Sequence, residues 1–313
     1  MNFYACSPKC ALKPLVTVII IFLFACMSQS LYGRQALLID SDFVARVDSL
    51  HQMAIRIIEQ TDNDSRLEAN KQFKEALLVE LKRDSTLQMD FSSARTVSFL
   101  TNPQRSFRII TWYVPFTDGT FRFFGFVQLA KTNEQNSNII HLNDNTQNIA
   151  RPAEISLNAE LWFGAFYYEL IHVTYRRSHQ FLLLGWKGNN RHTRIRVIEP
   201  FHIDNGYPIF GKRIFFKNGE SPFRIIFEHA SRASMSLNFY PEFSTNRLRN
   251  VPAIIFDHLI PIQPDMQGDF RFYVPAVNIV DAFIFRKGRW EFVEDVDARV
   301  FINPALLPLN PPN

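Results

Sequence analysis

After Thr96 the chain consists of short runs of β-branched and aromatic residues separated by Gly, Asn, Asp and Pro. β-Branched and aromatic residues favour strands, whereas Gly, Asn, Asp and Pro favour turns. No helical pattern lies between the runs, so neighbouring strands are expected to pair antiparallel. The sequence therefore predicts a mainly β fold, either an antiparallel β-sandwich or a propeller-like body. The absence of a clean internal repeat disfavours the propeller without excluding it.

Two glycine dipeptides predict β-hairpins with two-residue turns, since both central positions of such a turn need positive φ. At Asp118-Gly119 this turn would place Trp112 opposite Gly125, where the indole would cover exposed strand backbone. The same reasoning at Lys287-Gly288 predicts two aromatic cross-strand pairs: Phe285 with Trp290, and Phe283 with Phe292.

Residues 34–95 have a different pattern and predict a helical hairpin packed on the β body. Apolar residues follow helical spacing from Asp40 to about Asp84, with a break at Thr61–Asp64. Ser65 and Glu68 have the spacing of a capping box, which predicts that the second helix begins there.

The first 33 residues predict an export signal. Lys9 and Lys13 precede an apolar run from Leu15 to Cys26, and small and polar residues follow to Gly33. The run is shorter than the roughly 18–20 residues that span a bilayer. Cleavage would release a soluble protein to the periplasm or the envelope surface. The alternatives are a lipoprotein with lipid attached at Cys26 and an uncleaved membrane anchor.

All three cysteines, Cys6, Cys10 and Cys26, lie in this segment. A chain cleaved after Ser30 or Gly33 would therefore contain no disulfide, no thiolate metal site and no cysteine nucleophile. The formal net charge of the whole chain is +4, and the segment carries two lysines and no acid. The charge that remains is too small to indicate nucleic-acid binding.

Two segments are predicted to lie outside the regular sheets. Asn133–Ala159 is a long polar connection rich in Asn and Gln, which indicates a surface excursion. The β domain is expected to cover residues 96–302, and residues 303–313 form a proline-rich tail that leaves it.

Four residues are the candidates for catalysis: His202, Asp204, Glu228 and Asp257. His202 and Asp204 can share one face of a strand, because alternate residues of a strand point the same way. Glu228-His229 and Asp257-His258 are adjacent pairs, so their side chains point to opposite faces. The sequence contains no recognisable nucleophile or metalloprotease motif, and it predicts no metal site and no cofactor.

Trp162, Trp186 and Tyr207 are the candidate ligand-binding residues. Aromatic faces on a sheet can stack against a ligand such as a sugar ring, and the same residue types also build β cores. Both interpretations stay open for these three positions.

Several segments of the chain resemble the sequences of a group of uncharacterised exported proteins of Bacteroidetes-type bacteria. They lie between Thr96 and Asp297: Phe107–Trp112 with Asp118–Phe126, Leu182–Asn190, Arg224–Glu228 with Ala233–Leu237, and Ile255–Leu259. The resemblance implies export and a single β-rich unit. No activity is known for that group, so it implies no site residue.

These observations predict an exported, non-catalytic binding or scaffolding protein of the periplasm or envelope. Its expected partner is an envelope protein or a glycan, and membrane contact is expected only through the N-terminal segment. The alternative is an exported hydrolase that acts on glycans or other envelope polymers. A third possibility is an envelope assembly factor that works through the helical hairpin.

Overall fold

The computed structural model describes residues 41–83, 86–91, 96–130, 139–245 and 249–297. The described part of helix α1 covers residues 41–59, and α2 covers Asn63–Leu81. The strands of the described ranges follow in chain order: β1 Ser98–Thr101, β2 Phe107–Pro115, β3 Phe121–Leu129, β4 Ile139–Asn143, β5 Leu157–Asn158, β6 Phe166–Tyr175, β7 Ser178–Lys187, β8 Thr193–Asp204, β9 Tyr207–Phe210, β10 Phe215–Phe216, β11 Ile225–Ala230, β12 Leu237–Phe243, β13 Val251–Pro261, β14 Tyr273–Arg286 and β15 Arg289–Val293.

The chain divides into two compact units, residues 1–49 and 50–313. In the first unit the described residues 41–49 are helical, and the guanidinium of Arg46 lies 5.9 Å from the centre of the Phe43 ring. None of the described helices is both long and apolar enough to cross a bilayer. The predicted export signal and Cys26 lie outside the described residues.

The described residues of the second unit form three sheets. The first sheet has the order β1-β2-β3-β4, and the third has the order β10-β15-β14-β13-β12. The central sheet has the order β5-β9-β8-β7-β6, with β11 beside the N-terminal half of β8. Apart from β10 and β15, which pair parallel, the strands of these sheets pair antiparallel. The mainly β sandwich predicted from the sequence is confirmed.

The central sheet is buried on both faces. Leu183 belongs to an apolar cluster shared with the first sheet, and Leu182 and Leu184 belong to one shared with the third sheet. A strand covered on both faces buries consecutive residues, which explains the apolar run Leu182–Leu184 in β7. The outer face of the third sheet carries a smaller cluster that includes Ile255 and Ile284.

Helix α2 packs on the first sheet through Trp112. The ring of Phe73 meets the indole edge-on at 5.2 Å, and the indole N–H donates to Asn70 Oδ1 at 2.7 Å. The helix begins earlier than predicted, because Asp62 is its N-cap and accepts a hydrogen bond from the backbone N–H of Ser65. The carboxylate three residues upstream thus replaces the expected Ser65 cap.

The two hairpin predictions have opposite outcomes. The Lys287-Gly288 turn is confirmed, with both residues at positive φ and Phe285 opposite Trp290. The Asp118-Gly119 register is wrong by one residue, since Phe116 and Thr120 close a three-residue loop in which Gly119 has φ of +82°. Trp112 therefore lies opposite Phe124 rather than Gly125.

Two other expectations are corrected. The polar connection contains a strand, since Ile139–Asn143 pairs with β3 and completes the first sheet. Phe270–Phe272 is a short 3₁₀ turn that precedes β14, although its aromatic residues favour a strand. Asp269 accepts a hydrogen bond from the N–H of Arg271 and so favours the turn.

Candidate ligand-binding groove

The predicted catalytic residues of the central sheet do not converge. His202 lies opposite Ile209, and Asp204 lies at the exposed end of the β8–β9 hairpin. Glu228 on β11 lies opposite Ile195, seven residues before His202 on β8. At roughly 3.3 Å per residue this separates Glu228 from His202 by about 23 Å. Glu228 therefore shares no site with His202 and Asp204, whereas Asp204 lies near enough to His202 to act on it electrostatically.

The fourth candidate, Asp257, lies on the third sheet. Its Oδ2 accepts a hydrogen bond of 2.7 Å from the backbone N–H of Ser236, and burial raises the pKa of Asp257. Its neighbour His258 instead faces Asp281, with 2.8 Å between Nδ1 and Oδ2. Across the described ranges, no group of three or more His, Cys, Asp or Glu side chains is placed to hold a metal ion.

Two of the three predicted ligand-binding aromatics are core residues. Trp162 is fully buried, and its indole N–H donates to the Tyr167 hydroxyl at 2.9 Å. Trp186 is buried and meets the Phe121 ring edge-on at 5.3 Å. Tyr207 is 66% exposed at the tip of the β8–β9 hairpin, whereas the two tryptophans are buried.

A groove of about 700 Å³ lies beside β3, where α2, the β2–β3 turn and the loop after β4 meet. We call it the amide groove because five side-chain amides line it. The amides are: Asn143, Asn145, Gln147, Asn148 and Asn189. The lining also includes charged groups and aromatic rings: Lys74, Asp118, Arg122, Asp144, Lys187, Phe116, Phe121, Phe123 and Phe124.

Lys187 is the last residue of β7, and its side chain is buried at the inner side of the groove. Its ammonium donates to Thr146 Oγ1 at 2.7 Å, to the Phe163 carbonyl at 2.9 Å and to the Gly164 carbonyl at 2.6 Å. It also lies 4.8 Å from the centre of the Phe123 ring. An ammonium has three N–H donors, and all three are used here. Lys187 therefore holds the groove loop against the central sheet.

Asp144 fixes the same loop to β3. Its Oδ2 accepts from the backbone N–H of Phe123 at 3.0 Å, and its Oδ1 accepts from the backbone N–H and the hydroxyl of Thr146. Gly164 passes so close that a Cβ there would lie 2.3 Å from Asp144 Oδ1, and its φ is +46°. This close approach and positive φ require a glycine.

The opposite wall is held by Arg191. Its guanidinium donates to the carbonyls of Asp118 at 2.6 Å and Thr117 at 3.0 Å, which ties the β2–β3 turn to the loop after β7. Phe121 lies against Gly188, where an added Cβ would approach the ring to 2.2 Å. Both walls are therefore set by contacts within the fold, so the groove is largely pre-formed.

Several groups of the groove remain available for a ligand. Gln147 is exposed and makes no hydrogen bond to another described residue. Asn148 donates to Asn145 Oδ1 at 2.5 Å, which leaves its own carbonyl oxygen available. The guanidinium of Arg122 lies 5.3 Å from the centre of the Phe116 ring, so it presents a cation beside an aromatic face.

Comparison with known proteins gives no match: no protein-family model, no curated protein and no solved structure resembles the chain. The groove is therefore interpreted from its own chemistry. Sequence reasoning missed Lys187, Asp144 and the turn that Arg191 holds. The one available signal was the Asn- and Gln-rich composition of residues 133–159, four of which supply groove amides.

Burial of Lys187 makes stability depend on pH in a defined direction. Burial lowers the pKa of Lys187 from 10.5 to about 8. Between these values the unfolded chain binds one more proton than the folded protein, so stability rises with pH. We expect the free energy of unfolding of the wild type to rise by roughly 2–3 kcal/mol from pH 8 to 10.5, relative to a Lys187→Met variant.

Urea denaturation at a series of pH values measures this difference. The matched control is Lys71→Met on the exposed side of α2, whose difference from the wild type should stay constant over the same range. If the difference in unfolding free energy between the wild type and Lys187→Met also stayed constant with pH, the lowered pKa of Lys187 would be contradicted.

Proposed function

We propose that this protein is an exported binding module of the periplasm or cell envelope whose amide groove takes a polyhydroxylated ligand, such as a segment of a glycan. The observation that carries the proposal is the groove itself. Its volume of about 700 Å³ is within the range of small-molecule sites, and its walls are pre-formed. Export is supported by the N-terminal sequence pattern.

The polar lining matches hydroxyl groups. A side-chain amide presents donors and an acceptor together, and a hydroxyl group is both donor and acceptor. Gln147 and Asn148 offer such groups at the open side of the groove. The half-buried rings of Phe116 and Phe121 add apolar faces, on which the C–H face of a sugar ring can pack.

The charges of the groove favour a ligand without a large net charge. Three basic residues and two acidic residues line it. One of the cations, Lys187, is buried and donates all its N–H groups to the protein, so it does not contact a ligand. The two other cations and the two carboxylates balance in number, so neither a polyanion nor a polycation is selected.

The carboxylates of the groove support binding rather than hydrolysis. Glycosidases need one carboxyl group whose pKa is raised so that it can donate a proton. In the groove, hydrogen bonds from the Thr120 hydroxyl and backbone lower the pKa of Asp118. Asp144 accepts from Phe123 and Thr146 and acts as a loop clamp.

Binding can be tested with variants that change the groove and leave its supports intact. We expect the wild type to bind at least one of a panel of short neutral, N-acetylated and uronic-acid oligosaccharides in calorimetric titrations. Replacing Gln147 and Asn148 by Ala removes hydrogen bonds worth about 1 kcal/mol each, which weakens binding roughly tenfold or more. Asn148→Trp fills the opening and should abolish binding.

The control is Gln72→Ala, which removes an exposed amide of α2 that faces Glu68 instead of the groove. It should bind as tightly as the wild type. Binding that is unchanged in Asn148→Trp would remove the groove from the proposal. Release of new reducing ends from a bound oligosaccharide would favour the hydrolase instead.

A further inference from the structure

Two histidines meet on the β6–β7 hairpin, away from the amide groove. The Nε2 atom of His172 and the Nδ1 atom of His179 are 3.0 Å apart. His179 is exposed and lies directly opposite Thr174, and His172 lies opposite Phe181, so the two imidazoles are diagonal neighbours on one face. This face is open to solvent at the position of His179.

The position of His172 is fixed by the aromatic residues beneath it. Its ring stacks on Phe181 with 4.8 Å between ring centres and an interplanar angle of 19°. Phe181 in turn meets Phe107 of the first sheet edge-on at 5.0 Å. His172 is therefore supported from the core, and His179 approaches it from the solvent side.

The separation of the two nitrogens is that of two ligands on one metal ion. Metal–imidazole bonds are roughly 2.0–2.1 Å long, so an ion bound by both nitrogens at their distance of 3.0 Å would form an N–metal–N angle of about 94°. This angle is close to the right angle between neighbouring ligands in square-planar and octahedral complexes. It is smaller than the tetrahedral angle that zinc prefers in structural sites.

We propose that His172 and His179 form a two-histidine chelating site for a divalent transition metal, with copper(II) or nickel(II) preferred. Imidazole is a good ligand for both ions, and copper(II) binds most tightly in the divalent series. The two imidazoles now share a hydrogen bond, so metal binding is accompanied by a small rotation of the exposed His179 ring. The shared proton moves to the other nitrogen of the ring that carries it, which leaves a lone pair on each of the two facing nitrogens. Water molecules occupy the remaining coordination positions of the metal ion.

Thr174 supports a metal-bound water at this site. Its hydroxyl oxygen lies 3.2 Å from His179 Nδ1 and 3.5 Å from His172 Nε2, on the same face. From there it can accept a hydrogen bond from a coordinated water molecule. Such contacts orient the ligands and strengthen the site without binding the ion directly.

The test is a copper(II) titration of the full chain, purified without a histidine tag and with its three cysteines alkylated. We expect one equivalent of copper to bind and its electron paramagnetic resonance spectrum to show two equatorial nitrogen ligands. His172→Gln and His179→Gln each remove one arm of the chelate, which should weaken binding about a hundredfold or more.

The matched control is His192→Gln, which removes an exposed histidine of the loop between β7 and β8. It should leave copper affinity unchanged. Equal affinity in His172→Gln, His179→Gln and the wild type would overturn the proposal. The wild-type spectrum decides independently of any folding defect in a variant, because a spectrum without two nitrogen ligands also overturns it. Neither result bears on oligosaccharide binding in the amide groove.

Discussion

Replacing Arg224 by Met is expected to lower the free energy of unfolding by about 3–5 kcal/mol. Arg224, directly before β11, and Glu199 of β8 are both fully buried, with 2.6 Å between Nε and Oε1. The guanidinium also donates to the carbonyls of Ile155 at 3.0 Å and Phe210 at 3.1 Å. The substitution leaves a buried carboxylate without its cation and two carbonyls without their donor.

The loss should depend on pH. Burial raises the pKa of Glu199 above 4.5 even beside Arg224, and removing the cation raises the pKa further. At neutral pH the folded variant then holds a proton on Glu199 that the unfolded chain has lost. The deficit of the variant in unfolding free energy, relative to the wild type, is therefore largest at neutral pH. The deficit should shrink as the pH falls through the raised pKa towards that of the unfolded chain.

Guanidinium denaturation at pH 7 and pH 5 measures both effects. The control is Arg151→Met, which breaks the ion pair with Glu154 at the surface, where the two side chains are 75% and 62% exposed. Arg151→Met should lower the free energy of unfolding by less than about 1 kcal/mol. A deficit of similar size in the two variants would contradict the role assigned to the buried pair.

Replacing Trp112 by Ala is expected to cost about 3–5 kcal/mol of unfolding free energy and to loosen α2 from the first sheet. The indole is 1% exposed, and it packs against Phe73 of the helix and Phe124 and Phe126 of β3. Truncation would leave a large cavity between helix and sheet, because the surrounding side chains can collapse only in part.

Hydrogen exchange of the α2 amides distinguishes local loosening from global loss, since it should accelerate in the variant more than exchange in β7 does. Asn70→Leu is a finer probe, because it leaves the indole N–H without its acceptor and should cost about 1–3 kcal/mol. Tyr207→Ala at the exposed hairpin tip is the control and should change stability by less than about 0.5 kcal/mol. Unchanged exchange in α2 would contradict the packing role.

Local chemistry explains which parts of the fold could be predicted from the sequence. The Lys287-Gly288 hairpin was correct because a two-residue turn depends on only two backbone conformations. The Asp118-Gly119 hairpin was shifted by one residue, because Thr117 also entered the loop. Arg191, far along the chain, binds that loop, and no local pattern contains this contact.

The candidate site was less predictable. Its amides belong to a segment that was recognisable as polar, but Lys187 looked like the end of an apolar strand and Asp144 like one more loop residue. Both residues support the groove through hydrogen bonds to residues distant in the sequence. Lys187 donates to the Phe163 carbonyl, and Asp144 accepts from the backbone N–H of Phe123. The two histidines of the hairpin likewise meet only because the register of β6 and β7 makes them diagonal neighbours.

The sequence by itself determined the mainly β class, the two helices before it and the Lys287-Gly288 hairpin, because strand propensity, turn chemistry and helical spacing are properties of neighbouring residues. Only the tertiary structure decided that the strands form three sheets with a doubly buried central one, that Trp112 joins α2 to the first sheet, and that the amide groove exists. These features depend on contacts between residues distant in the chain, and such contacts are set by packing and burial rather than by local pattern.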